Sequence, residues 1–349
     1  FGLGGGAYDV AVFGMFLFQV VFMDAMATIP TGAMAERWRF ANFCLYGLCA
    51  STIIYPIFGN WVWGGGWLSK LGATFGLGNG YCDFAGSSVV HAVGGLTALV
   101  GAWLLGPRIG KFGPDGKPRA IPGHDIPIAV LGAYILAFGW FGFNAGSTLA
   151  GGDFRLAVVA VNTMLASCSG ALAAMLYMRR VTGKFDAPMS TNGFLAGLVA
   201  ITAPCAFVPA WATLVIGAVA GVLVCVVVSF VENKLHVDDP VGAVAVHGAN
   251  GLWGCLALGI FADGTYGAGL NGVIAPLRRW NIPEAVTGGL LAALATLVAY
   301  RVFGLAISFD LAARDMLLLY FFTGIGLNAR LSDLATGGKP LAILLGLTV

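Results

Sequence analysis

Long apolar runs alternate along the chain with short segments rich in glycine, proline or charge. A helix that crosses the hydrocarbon core of a bilayer needs about 20 predominantly apolar residues. By that measure the pattern predicts spans near 7–30, 41–60, 85–106, 126–148, 154–178, 191–208, 211–232 and 241–262. Two more are predicted near 284–304 and 313–328, and another begins near 340. The runs lack the alternation of barrel strands, so the predicted fold class is all-α, a polytopic membrane helical bundle.

The composition supports a chain that lies in the lipid bilayer. Apolar residues make up 58% of the 349 residues and charged residues only 10%, whereas a soluble domain carries about 25% charged residues. The net charge of +2 is small, which argues against nucleic acid as a partner. The seven cysteines show no CxxC pairing, so neither a disulfide framework nor a metal site is expected. With no Walker A motif and no metal-ligand cluster, the sequence predicts neither an enzyme nor a cofactor.

The charges between the apolar runs predict the orientation of the chain. Lys and Arg concentrate on the cytoplasmic side of membrane proteins. If the first span runs from outside to inside, the inner segments contain ten basic residues: Arg37, Arg39, Arg108, Lys111, Lys117, Arg119, Arg179, Arg180, Lys184 and Lys234. The outer segments up to residue 262 contain only two, Lys70 and Arg155. This asymmetry favours that orientation.

One polar spacing occurs twice within the apolar runs. Asp83 and His91 are eight residues apart in "DFAGSSVVH", and Asp239 and His247 are eight apart in "DPVGAVAVH". Each aspartate falls at the start of its predicted helix, where a carboxylate accepts backbone N–H bonds and meets the positive end of the helix dipole. Eight residues then place each histidine about 12 Å deeper along the helix axis.

The two histidine helices are predicted to run in opposite directions. With a hydrocarbon core about 30 Å thick, His91 and His247 both reach the region of the midplane, one from each face. Matching helices of opposite direction with polar groups at the midplane are typical of inverted-repeat transporters. The alternative is that both histidines only pack, each bonded to a neighbouring carbonyl.

Several longer motifs resemble those of the ammonium transporter (Amt/Rh) family, from residue 7 to about 272. The motifs are "FQVVF" with "GAMAERWRF", "WVWGGGWL", "DFAGSSVVH", "GWFGFNAGS", "GLVAIT" and "DDPVGAVAVHG". The resemblance implies a domain over residues 1–273, a homotrimer in the intact family member, and a location in the inner cell membrane. Against the family's eleven spans, the chain starts at the counterpart of the third, and the eleventh is absent.

The resemblance also implies a transport route for ammonium and ammonia. In this family the ion is recruited at an outer vestibule, passes a phenylalanine gate and enters a pore lined by twin histidines. The matching residues are Phe22, Trp63 and Ser147 at the vestibule, Phe22 and Phe143 at the gate, His91 and His247 in the pore, and Asp83 as a structural acid.

Simple physical chemistry is compatible with these roles, although structural alternatives exist. An indole face such as that of Trp63 attracts a small cation, and the Ser147 hydroxyl can accept a hydrogen bond from it. Trp63 could instead be an interfacial tryptophan, Phe22 and Phe143 could be ordinary packing residues, and Ser147 a helix-packing hydroxyl. A bare cation at the midplane costs about 3 kcal/mol on insertion scales. Shedding a proton and passing neutral ammonia avoids that cost, and imidazole is suited to handle the proton.

The segment 274–349 resembles a different family. Its Pro-Glu, Gly-Gly helix, "RD", "FF" and "GLNA" pattern is similar to the N-terminal region of the sodium/glutamate symporters. Arg278 and Arg279 follow the eighth span on the side where the charge rule disfavours them. We therefore expect a seam near residue 273, a fusion of two transporter fragments, and no intimate apolar interface between the two parts.

Three functional hypotheses follow from the sequence. The first is transmembrane transport of ammonium or ammonia. The second is an ammonium sensor or receptor of the same fold, which the absence of a recognisable soluble domain disfavours. The third is a non-functional fusion of transporter fragments.

Overall fold

The structure is a computed structural model, and it describes residues 10–264. Within that range the chain is helical. Its α-helices are α1 (Val10–Ala33), α2 (Phe40–Cys49), α3 (Tyr55–Val62), α4 (Leu71–Phe75), α5 (Val93–Leu105), α6 (Ile126–Trp140), α7 (Arg155–Thr182), α8 (Ala187–Ile201), α9 (Ala210–Asn233) and α10 (Asn250–Phe261). The predicted all-α membrane bundle is confirmed. The spans predicted beyond residue 280 and the predicted domain 274–349 lie outside the described residues. The same holds for the prediction that this domain forms no intimate apolar interface with residues 1–273.

Four turns of π-helix join or extend these α-helices. They comprise Ala50–Ile54, Ser87–Ala92, Phe141–Ala145 and Val244–Ala249. With the π-turns included, seven continuous helices in the described part of the chain are long and apolar enough to cross a membrane. They correspond to seven of the eight spans predicted up to residue 262.

The remaining predicted span, 191–208, is wrong as a full-length helix. Helix α8 is 15 residues long, begins after Asp186 and ends at Ile201. Pro204 follows, and proline ends helices because it lacks an N–H and its ring clashes with the preceding turn. The freed carbonyls of Thr202 and Ala203 accept bonds from Ala85 N and Phe84 N, at 3.2 and 3.3 Å. The turn that follows α8 therefore forms backbone hydrogen bonds with the segment that leads into the helix carrying His91.

Two apolar clusters form the core of the described residues. One cluster, around α7, α8 and α9, includes Ile216 and Val199. The other, around α1 and α5, includes Phe22 and Met26. Phe143 packs against both clusters. The residue predicted as half of the gate thus lies where the two parts of the core meet.

The two histidine-bearing helices cross at glycines. A Cβ placed on Gly95 would overlap the backbone of Gly248, with the carbonyl carbon of His247 only 2.8 Å away. A Cβ on Gly251 would lie 2.8 Å from the backbone nitrogen of Ala92. Small residues let membrane helices approach closely, and here they bring the backbones that carry His91 and His247 into contact.

We predict that Gly95→Ala destabilises the bundle by about 1–3 kcal/mol, because the added methyl group overpacks a backbone contact. Gly259→Ala is the matched control, since a Cβ at this helical glycine meets nothing within 4 Å, and alanine is the better helix former by about 1 kcal/mol. Thermal unfolding in detergent, followed by tryptophan fluorescence, measures both. Equal midpoints for the two variants would contradict the close crossing.

Candidate functional site

A buried carboxylate organises the start of the first histidine helix. Asp83 is 3% exposed. Its Oδ1 accepts from Gly86 N and Ser87 N at 2.8 and 2.9 Å, and its Oδ2 accepts from Ser88 N and Val89 N at 2.7 and 3.1 Å. The Ser88 hydroxyl adds a fifth bond, at 2.6 Å to Oδ2. Asp83 thus satisfies the N–H groups that a helix start leaves without intrahelical partners.

The second histidine helix begins in a similar way. The Asp239 carboxylate accepts from Gly242 N at 3.1 Å and from Val244 N at 2.7 Å. At the start of both histidine helices a glycine with positive φ lies three residues after the acid, Gly86 at 112° and Gly242 at 75°. Glycine tolerates this backbone conformation without steric cost. Each acid and glycine then lead into a π-turn that contains the histidine, Ser87–Ala92 or Val244–Ala249.

The two histidine rings lie side by side. The Nδ1 atoms of His91 and His247 are 3.2 Å apart, and the ring centroids are 5.2 Å apart at an interplanar angle of 23°. A hydrogen bond between the two Nδ1 atoms requires one of them to carry a proton and the other to accept it. The structure thus brings together the two histidines that the repeated spacing predicts at matched depth.

Aromatic rings continue from this pair in a row. Phe143 lies 5.5 Å from His91 by ring centroids, and Phe22 stacks on Phe143 at 4.2 Å and 21°. Trp63 meets Phe22 edge-on at 6.0 Å. The order Trp63, Phe22, Phe143, His91, His247 is the order of vestibule, gate and pore that the resemblance implies.

Hydrogen bonds orient Trp63 and Ser147, the two side chains predicted to line the vestibule with Phe22. The Trp63 indole donates to the backbone carbonyl of Asp83 at 2.6 Å, so the segment that starts the His91 helix also orients the indole. The Ser147 hydroxyl donates to the carbonyl of Phe143 at 2.7 Å. Because its proton is used there, the Ser147 oxygen can act as an acceptor toward a ligand.

Sequence reasoning missed Trp140. Its indole stacks on His91 at 5.0 Å and 18°, and its Nε1 donates to the Thr202 hydroxyl at 3.0 Å. Thr202 follows the broken end of α8, so the turn after Ile201 also orients the ring that covers His91. The available signal was the position of Trp140 in "GWFGFNAGS", three residues before Phe143.

Charged groups lie apart from the histidine pair. Across residues 10–264, the recorded hydrogen bonds and ion pairs include none between a carboxylate and either ring. Within the same range no group of three or more His, Cys, Asp or Glu side chains could hold a metal ion. Asp24, the acid within the first span, is exposed on its helix. The surroundings of the pair are aromatic and apolar.

A buried ion cluster lies at the predicted inner end of the bundle. The Asp238 carboxylate accepts from Arg108 Nε at 2.9 Å and from Arg37 Nη1 at 3.3 Å. Burial alone raises the pKa of Asp238, but the hydrogen bonds and charge of Arg108, with the charge of Arg37, outweigh it and lower the pKa below its ordinary value. The stabilisation from this lowered pKa is present above the carboxyl's unfolded pKa and is lost as pH falls through the folded value.

The fold defines a polytopic helical membrane protein in which two helices that meet at glycines carry paired histidines. The sequence model of the family described as "Ammonium Transporter Family" matches residues 5–335. "Ammonium transporter Amt2" of Archaeoglobus fulgidus is 52% identical over 267 residues, which are 76% of this chain and 57% of that protein. "Ammonium transporter Amt1" of Haloferax mediterranei is 42% identical over 266 residues, 72% of this chain and 51% of that protein.

Solved structures with a similar fold include further proteins of the Amt and Mep2 type. "Sensor Amt Protein" aligns with a TM-score of 0.69 and 37% identity, covering 85% of this chain and 74% of that one. Mep2 from Candida albicans aligns with a TM-score of 0.65 and 29% identity, covering 85% and 66%. The chain belongs to the ammonium transporter family.

The family assignment from the sequence motifs is therefore confirmed. The chain spans 51–57% of the length of the two curated relatives named above. The family match runs past residue 273, and the symporter resemblance of residues 274–349 stays a prediction.

We predict that Asp83→Asn lowers the free energy of unfolding by more than about 3 kcal/mol, because several charge-assisted bonds are lost and an amide N–H₂ is placed against N–H donors. Asp125→Asn is the control: its carboxylate accepts one N–H, from Ile128 at 3.0 Å, at an exposed helix start. Since Asn and Asp cap about equally well, the control should change stability by less than about 1 kcal/mol. Thermal unfolding of both proteins measures the difference. Similar losses in the two variants would show that Asp83 is an ordinary cap.

Proposed function

We propose that this protein transports ammonium across a membrane by recruiting the ion at the outer vestibule, removing a proton and conducting ammonia past His91 and His247. The single observation that carries the proposal is the row of aromatic rings that ends at two contacting imidazoles. Membership of the ammonium transporter family supports the substrate, and the names of the curated relatives favour transport over sensing.

Recruitment rests on Trp63 and Ser147. The indole face of Trp63 supplies a cation–π attraction, worth about 0.5–2 kcal/mol depending on desolvation. The Ser147 oxygen accepts one of the ammonium N–H bonds. The bond from the Trp63 indole to Asp83 O holds the ring at a defined angle, so little ordering of the side chain is needed when the ion binds.

The gate comes next on this route. Phe22 is 2% exposed and stacks on Phe143, so the rings must separate for a molecule to pass. The apolar passage offers a hydrated cation no stabilising contacts. Placing a bare cation at the midplane costs about 3 kcal/mol or more in free energy. Neutral ammonia avoids that cost. The aromatic stack therefore favours the deprotonated species.

The histidine pair then offers nitrogen lone pairs without a fixed negative charge. His91 and His247 can exchange hydrogen bonds with ammonia, because neutral imidazole is both a donor and an acceptor. A carboxylate at the same place would stabilise a cation and retain it. An aromatic and apolar wall around two neutral imidazoles passes a small neutral amine and disfavours ions.

We further propose that the protein works in the inner cell membrane as a homotrimer. The described helices present many exposed apolar side chains, Leu17, Leu136, Phe138 and Leu256 among them, which suit contact with lipid or with other copies. The ammonium sensor hypothesis shares the vestibule but requires no flux. Transport is thus the hypothesis that a flux measurement separates from the others.

The direct test is ammonium flux into proteoliposomes that contain the purified full chain. An ammonium gradient across the membrane should change the internal pH faster than in protein-free vesicles, and the rate should saturate with concentration. Potassium should not compete. If ammonium binds but the flux equals that of empty vesicles, the protein is a sensor; if neither binding nor flux occurs, the proposed function is wrong.

We predict that Trp63→Leu raises the half-saturating ammonium concentration about 2- to 30-fold, the range that corresponds to losing 0.5–2 kcal/mol of cation–π energy. Trp67→Leu is the matched control, because Trp67 stands on the same segment but contacts Trp61, at 5.8 Å. It should leave the half-saturating concentration unchanged. Concentration series in proteoliposomes provide both values, and equal effects of the two substitutions would remove Trp63 from the recruitment site.

A further inference from the structure

The inner cluster, defined here as Arg37, Arg108 and Asp238, joins segments that are distant in sequence. Asp238 is 1% exposed, and the two arginine side chains are 10–11% exposed. Arg108 binds Asp238 through three donors: its backbone N at 2.8 Å, Nε at 2.9 Å and Nη2 at 3.1 Å. The planar guanidinium thus holds both carboxylate oxygens, a geometry that fixes orientation as well as distance.

Arg37 extends the cluster to the backbone of three segments. Its guanidinium donates to the carbonyl of Ala33 at the end of α1, to Gly106 O after α5 at 2.5 Å, and to Asp238 O at 3.0 Å. One side chain therefore connects α1 and α5 with the segment that precedes the π-turn Val244–Ala249. A movement of that segment would break bonds to both arginines.

The position of the cluster matches that of the vestibule bond in the other half. On the outer side, the carbonyl of Asp83, the acid that starts the His91 helix, is held by the Trp63 indole. On the inner side, the carbonyl of Asp238 is held by Arg37, and the next residue, Asp239, starts the His247 helix. Each histidine helix is thus fixed at its first residues to a group from another segment.

The energetics favour a positional role for these charges. Desolvation of a buried ion pair consumes most of the energy that its attraction supplies, and apolar replacements are often as stable. Removing one partner, in contrast, leaves buried charges without compensation. A buried cluster of this kind contributes a defined geometry more than it contributes stability.

We propose that Asp238, held by Arg37 and Arg108, is a positioning residue that fixes the start of the His247 helix and thereby sets the contact between the two imidazoles. Its relevance to transport rests on the proposed function. The inference does not require that flux be measured, because it concerns the geometry of the histidine pair. Asp238 acts through Asp239 and the π-turn, and it does not touch the transported species.

The test is solid-state nuclear magnetic resonance of the full chain in lipid, with ¹⁵N-labelled histidine. A proton held between two ring Nδ1 atoms gives a correlation to both nitrogens only when they lie within hydrogen-bond distance, about 3 Å. The chain has four histidines, and the signal of His124 serves as the internal intensity standard. We expect the correlation in the unsubstituted protein and at least a roughly threefold loss in Asp238→Asn, because such a hydrogen bond depends steeply on distance.

Two variants separate positioning from a general effect of charge. Asp238→Glu keeps the carboxylate and should restore the correlation. Asp115→Asn removes a carboxylate from an exposed pair with Lys117 on the same side of the bundle and should leave the correlation unchanged. If Asp238→Asn fails to fold, Arg108→Lys is used instead, since it keeps the charge but loses the two-point contact, and the same loss is expected.

The outcomes are distinct. A correlation of full intensity in a folded Asp238→Asn or Arg108→Lys protein overturns the proposal, whatever happens to flux. Equal loss in Asp115→Asn overturns it as well, because the effect would then belong to any inner charge. An unsubstituted protein with the correlation but without ammonium flux refutes the proposed function alone. An unsubstituted protein that lacks the correlation refutes the paired histidines, and this proposal falls with them.

Discussion

The buried carboxylate of Asp83 is the constraint on which the rest of the described structure depends. A charge at 3% exposure survives only if it is fully bonded, and its five bonds hold the first turn of the His91 helix in a π-helical form. Turns of π-helix occur frequently at functional sites. The same residue orients Trp63 through its carbonyl. One acid therefore helps to place both the Trp63 indole and His91.

The start of the His247 helix has the same arrangement of acid, glycine and π-turn, but its neighbouring contacts differ. Asp239 caps the π-turn that contains His247, a positive-φ glycine follows it, and the neighbouring Asp238 is held by arginines where the first half uses an indole. In the predicted orientation the indole lies on the outer side, where the proposed recruitment of a cation uses an aromatic face. The arginines lie on the predicted inner side, where positive charge concentrates in membrane proteins.

Much of this arrangement can be predicted from the sequence, because it depends on local spacing. Eight residues between acid and histidine, repeated on helices of opposite direction, predict two imidazoles at matched depth. The apolar runs predict the helices, except where Pro204 ends α8 after 15 residues and the chain turns back toward residues 84–85. Hydropathy does not detect that turn, since it is as apolar as a helix. Trp140 against His91, and the links from Arg37 and Arg108 to Asp238, depend on tertiary contacts between segments up to 201 residues apart. Spacing within one helix carries no information about such contacts.

The central claim is that the histidine pair lies on the route of the transported molecule. The most direct measurement compares ammonium flux in proteoliposomes for the unsubstituted chain and the double variant His91→Ala, His247→Ala, at equal amounts of folded protein. If the imidazoles handle the proton and pass ammonia, flux per folded molecule should fall by a factor on the order of 10²–10⁴, the range associated with positioned acid–base groups. Unchanged flux in a folded double variant would contradict the account and leave the two histidines as packing residues.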